Sequence, residues 1–184
     1  MAALITVTGT EALTRRLLEI GQDAPKAATR AVNRTLSTVK TATVRGLVAA
    51  VGLRNKDVTP AIAIKRATFS NQIGTLTVTG KRIPLIAFGA RQTKAGVTYR
   101  LPSGRGLIPS GFLATMKSGH RGVFARRGKP RLPIVEQFGP SLPHAMVAGG
   151  LLAKMQALGD ATLEKNMLHE IDWVTQQRVQ AGDE

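Results

Sequence analysis

The sequence predicts an α+β protein: N-terminal helices including one long helix, a central antiparallel β-meander with long basic loops, and a C-terminal helix. Three observations carry this expectation. Residues 23–52 and the stretch after Ala145 repeat apolar side chains at three-to-four spacing, the period of a helix face. Between them, "TLTVT" and "GVTYRL" alternate apolar and polar side chains, the period of a strand with one buried face. Glycines and prolines punctuate the middle at turn-like intervals.

The elements follow in order. "TEALTRRLLEIG" predicts a helix capped by Thr10, with Leu13, Leu17 and Ile20 on one face and Gly21 at its end. A long helix is expected from Asp23 and Pro25 to Gly52, since proline is favoured in a first helical turn. Ala28, Val32, Leu36 (or Thr35), Val39, Ala42 and Leu47 form its buried stripe, with Lys26, Arg30, Arg34 and Lys40 mostly off it. So small a stripe permits close approach to a sheet or to another subunit. A helical turn is expected around "LRNKDVTPAIAI", with Pro60 near its start.

From Lys65 the period changes. "NQIGTLTVTG" and "RIPLIAFGA" predict two strands joined by a tight turn at Gly80-Lys81-Arg82, with Pro84 at an edge or strand start. "AGVTYRL" predicts a further strand, and "FLATMK" and "GVFARR" a hairpin across Ser118-Gly119-His120-Arg121. "GARQTKAG" and "PSGRG" have the composition of mobile basic projections. Pro130, Pro133, Pro140 and Pro143 mark a stiff connector. Beyond it, Leu151, Leu152, Met155, Leu158, Leu163, Met167, Leu168, Ile171 and Val174 predict a helix from about Ala145, interrupted near Gly159-Asp160 and fraying at its end. The whole is expected to be one domain over 1–184, helical to 64, a basic antiparallel sheet over 65–135, and connector plus C-terminal helix over 136–184.

Charge is the most informative part of the composition. Residues 1–57 carry nine Lys/Arg and four Asp/Glu, residues 58–135 fourteen and none, and residues 136–184 three and seven; the segments sum to +5, +14 and −4, the overall +15. A segment with no acid cannot compensate its charge internally, so it faces water, an acidic partner or phosphate. The candidate interaction surface is Arg91, Lys94, Arg100, Arg105, Lys117, Arg121, Arg126, Arg127, Lys129 and Arg131.

Catalytic signatures are missing. Without cysteine there is no disulfide or thiolate metal site. His120, His144 and His169 have no metal-ligand spacing, so no metal or other cofactor is expected. "GTLTVTGKR" departs from a phosphate loop in spacing and alternates like a strand. Glu136, Ser141 and His144 are neighbours in sequence, which does not make a catalytic trio. "NRT" at Asn33 falls inside a helix and is read as a chance match to a glycosylation acceptor. No secretion signal opens the sequence and no stretch is apolar enough to cross a bilayer, so synthesis in the cytoplasm without membrane insertion is expected.

The joint order of three pieces adds a resemblance. "IPL" with "GARQTKAGV", then "PSGFLATMKSGHRGVFAR", then "RLPIVEQFGPSLPHAM", from Ile83 to Met146, resembles the prophage minor tail protein Z family, the tail completion proteins of long-tailed phages similar to lambda. The resemblance implies a non-enzymatic virion protein added late in tail assembly, at the head-proximal end where DNA passes. It implies as partners further copies of the chain in a hexameric ring, the tail terminator or tail tube protein, and neck or connector proteins. Contact with genomic DNA is expected to be loose at most, because a tight grip would hinder ejection. The charge pattern suits head-to-tail packing, acidic helix against basic hairpins. A basic nucleic-acid-binding protein is the alternative, weakened by Phe88, Tyr99, Phe112 and Phe124, which are spaced as core residues.

Overall fold

Among the described residues, two long helices lie side by side and antiparallel, and four small antiparallel sheets are arranged around and beyond them. The structure, a computed structural model, describes residues 3–7 and 20–182. Strand β1 (Ala3–Val7) precedes a 3-10 turn (Gly21–Asp23) and helix α1 (Ala24–Val51). The short α2 (Asn55–Val58) leads into β2 (Ile62–Lys65), β3 (Gly74–Val78) and β4 (Arg82–Pro84). Then come β5 (Arg91–Thr93), β6 (Gly96–Leu101), β7 (Gly104–Pro109), β8 (Phe112–Thr115), β9 (Arg121–Arg126), β10 (Ile134–Glu136) and β11 (Phe138–Ser141). Helices α3 (Leu142–Ala148) and α4 (Leu151–Gly182) close the chain.

Helix α1 forms where its sequence places it. Pro25 sits in the first turn, and Gly52 ends the helix in a left-handed conformation at φ 73°, donating its N–H to the Val48 carbonyl. Ala28, Val32, Thr35, Leu36, Val39 and Leu47 are buried as expected, whereas Ala42 is only half-buried and Thr43 is buried beside it. Thr29 and Thr35 hydroxyls donate to the carbonyls of Pro25 and Ala31 at 2.7 and 2.8 Å, which lets polar residues sit on a packed face. Asn33 is no glycan acceptor here: its amide clamps the backbone of Ala67, donating to the carbonyl at 3.1 Å and accepting from the N–H at 2.9 Å.

Helix α4 pairs with α1 along its length. Leu151 lies against Gly46, Asn166 donates to Thr35 at 3.0 Å, and Arg178 reaches the Ile20 carbonyl and Asp23, at 3.0 Å from the carboxylate. The Arg178 hydrogen bond holds the Asp23 carboxyl below the usual aspartate range. Glu170 is buried between the half-exposed guanidinium groups of Arg30 and Arg34, at 3.6 and 3.3 Å. Arg30 also lies over the Trp173 ring, 4.9 Å from its centroid.

Strands β1, β3 and β2 form one antiparallel sheet in that order, with Ile5 opposite Leu76 and Ile64 opposite Leu76 on the other side. Leu76 and Val78 point into the core shared with Val32, Leu36, Leu163 and Met167, as the alternation predicts. Gly74 matters because a Cβ there would meet the Leu36 and Val32 side chains of α1 at 2.5 and 2.7 Å.

Several expectations need correction. The helix expected from Thr10 lies, as far as Glu19, outside the described residues. β1 went unpredicted, and it places a strand in the part expected to be helical. The hairpin expected across Gly80-Lys81-Arg82 does not form: both sides of β3 are already taken by β1 and β2, so β4 pairs with β11 instead. "GARQTKAG" and "PSGRG" are not loose projections but contribute to the β5-β6-β7 sheet, with Lys94-Ala95 and Pro102-Ser103 as its tight turns. The C-terminal helix runs unbroken through Gly159, which is buried, and the interruption falls at Gly149-Gly150, where φ of Gly150 is 65°. That helix also continues to Gly182.

Candidate interaction surface

All ten basic residues singled out in the sequence are exposed, and among the described residues none forms an ion pair with a carboxylate. They do not make one patch. Lys117 and Arg121 sit at the turn between β8 and β9. Arg126, Arg127, Lys129 and Arg131 gather at the opposite end of β9, separated from Arg121 by a six-residue strand, about 17 Å. Arg126 covers the Phe112 ring at 5.9 Å, and Phe112 packs against Phe124.

The third group is the most organised. In the β5-β6-β7 sheet, Arg91 pairs with Thr98, and Arg100 pairs with Arg105. Alternation places Arg91, Thr93, Thr98, Arg100 and Arg105 on one face. The opposite face turns Val97 and Ile108 to the core. All five residues on the outer face line a cleft of about 720 Å³, whose other walls are Ala87, Phe88, Gly89 and the α1 cap Gly52. Tyr99 also lines it, held over Gly106, where a Cβ would sit 2.2 Å from the phenol carbon. Lys94 stands at the turn between β5 and β6, beyond the cleft.

Arg100 and Arg105 face one another directly across the hairpin, and like charges so placed repel. The arrangement is suited to receive an anion, because three guanidinium groups can each offer paired N–H donors to carboxylate or phosphate.

The prolines of the expected connector have separate duties. Pro130 is an exposed part of the β9–β10 loop, and Pro133 follows a cis peptide bond and accepts from the Arg127 N–H at 3.2 Å. Pro140 lies within β11, and Pro143 lies in the first turn of α3. The segment is therefore partly sheet: β10 pairs with β9 and β11 with β4.

The neighbours Glu136, Ser141 and His144 are drawn into different tasks. Glu136 meets His120 at 2.8 Å, and Ser141 caps α3 by accepting from the His144 backbone N–H at 3.3 Å. Among the described residues, no group of three His, Cys, Asp or Glu is placed to hold a metal ion, and no helix is long and apolar enough to cross a membrane.

No curated protein and no solved structure matches the chain. The family model for prophage minor tail protein Z matches residues 7–178, spanning the helix pair, all three basic groups and the prolyl segment, and so the chain belongs to the prophage minor tail protein Z family.

Proposed function

We propose that this minor tail protein completes the phage tail at its head-proximal end, as a ring of copies that contributes to head–tail joining and surrounds the path of the DNA. The observation that carries the reading, beyond family membership, is the segregation of charge. Fourteen basic residues and no acid occupy 58–135, and a net negative segment follows on the same chain. A surface of one sign beside a surface of the other favours contacts between unlike faces of neighbouring copies, the kind that close into rings. The sheets present the basic groups on short strands and turns, and the antiparallel helix pair supplies the rigid base. No catalytic role enters the reading; its partners are further copies of the chain, the tail terminator or tube protein and the neck proteins.

The test is assembly. Tails produced without this protein, viewed by electron microscopy, should reach full length yet fail to join filled heads, and adding the purified protein should restore joining. Normal, infectious particles without it would refute the reading.

A second reading, binding to nucleic acid, rests on the Arg126–Arg131 group, which could neutralise phosphates. It requires co-purifying nucleic acid and an affinity that falls steeply with salt. Preparations free of nucleic acid at low salt would remove it.

A further inference from the structure

We propose that the Arg91–Arg100–Arg105 cleft is the receptor for the acidic face of helix α4 of a second copy, with Asp160, Glu164 and Asp172 as the groups received. The contact deepens the ring reading above and rests on it. The cleft brings together three arginines from adjacent strands, two of them in direct opposition, and among the described residues no carboxylate lines it. A partner anion relieves that repulsion.

The helix offers the complement. Asp160, Glu164 and Asp172 are exposed, and none of them is in an ion pair among the described residues. Glu164 and Asp172 flank a shallow groove of about 430 Å³ that Ala161, Leu168, Lys165 and His169 also line. Spacings of four and eight residues set the three carboxylates about 6 and 12 Å apart along the helix. Arg91 and Arg100 are offset by two residues along the sheet and one strand across it, roughly 8 Å, with Arg105 about 5 Å from Arg100. The Asp160–Glu164 spacing matches the arginine separations, and Asp172 extends the acidic run about 12 Å further along the helix.

The cleft cannot be filled by its own helix. Gly52 of α1 lines the cleft, and six residues earlier Gly46 packs on Leu151, the first residue of α4. From that point α4 runs back along α1, away from Gly52. Glu164 lies about 20 Å and Asp172 about 32 Å down the helix from Leu151. Only another copy can present these groups, and a contact between two different faces propagates head to tail. The cleft is too small and too concave for a DNA duplex about 20 Å across, whereas one edge of a helix about 10 Å wide can enter it.

The experiment uses two full-length variants, R91E/R100E/R105E and D160R/E164R/D172R, each checked for a wild-type thermal transition. Sedimentation velocity at low salt should show the wild type self-associating and each variant at least about tenfold weaker. An equimolar mixture of the two variants should regain the wild-type assembly, since reversed sheet meets reversed helix and native meets native. Carrying both sets in one chain should restore it as well. Wild-type association that neither variant weakens, or a mixture that stays dissociated, overturns this contact while leaving self-assembly intact. A wild type that remains monomeric also overturns it; whether tail completion falls too is then read from whether the protein is incorporated into tails.

Discussion

Removing the two arginines around Glu170 should destabilise the helix pair far more than removing Glu170 itself. The Glu170 side chain is 5% exposed, while the Arg30 and Arg34 side chains are 48% and 52% exposed. In R30A/R34A a buried carboxylate loses both countercharges, a change that costs about 3–5 kcal/mol when a buried ion pair is broken from one side. In E170Q the shape is kept and the two arginines return to water, so the loss is that of charge-assisted contacts, about 1–2 kcal/mol. For a chain of this length each kcal/mol moves the melting temperature by about 2–4 °C. The double variant should therefore melt about 6–20 °C lower and E170Q about 2–8 °C lower, by differential scanning calorimetry at neutral pH. The triple variant R30A/R34A/E170Q should recover part of the loss, because the stranded charge is gone. A triple variant less stable than R30A/R34A would refute the reasoning, as would an E170Q shift equal to that of the double variant.

Other outcomes follow from single contacts. Asn33→Ala should cost about 1–3 kcal/mol in denaturant unfolding, because the Ala67 N–H and carbonyl lose their partner; Asn33→Asp, which keeps the acceptor alone, should fall between it and wild type. Gly106→Ala should cost about 1–3 kcal/mol by pushing the Tyr99 ring off its seat, and an unchanged melting temperature would contradict that close approach. Asp23 has a carboxyl pKa lowered by its hydrogen bond from Arg178, so its stabilising effect is complete above the ordinary aspartate range and is lost as pH falls below that range through the lowered value. Wild type should thus melt above Asp23→Asn at neutral pH, and the gap should close on acidification; a gap that widens instead would reverse the assigned sign.

The candidate surface was legible as residues but not as geometry. Composition alone marked Arg91, Arg100 and Arg105, because an acid-free stretch of 78 residues has no internal countercharge. Their convergence could not be read, because "PSGRGLIPSG" looks like a run of turns. β7 is an exposed edge strand, so its pairing with β6 supplies the order that its sequence does not advertise. The pairing register, Arg100 opposite Arg105, is what turns separated charges into a cleft. The basic groups at the two ends of β9 show the reverse: near in sequence, they are held apart by an extended strand.

By itself the sequence determined the α+β class, the long helix from Asp23 to Gly52, the β8–β9 hairpin, the family and the segregation of charge. These depend on local period, on capping and turn residues, and on composition, all of which short segments carry. Tertiary structure decided that β3 is flanked by β1 and β2, that β4 finds β11, and that the second long helix breaks at Gly149-Gly150 while Gly159 stays within it. It also decided where Glu170 and the cleft arginines find or lack a partner. The physical reason is the same in each case: strand pairing and ion pairing are satisfied by whichever group the rest of the fold brings near, and neighbours in space need not be neighbours in sequence.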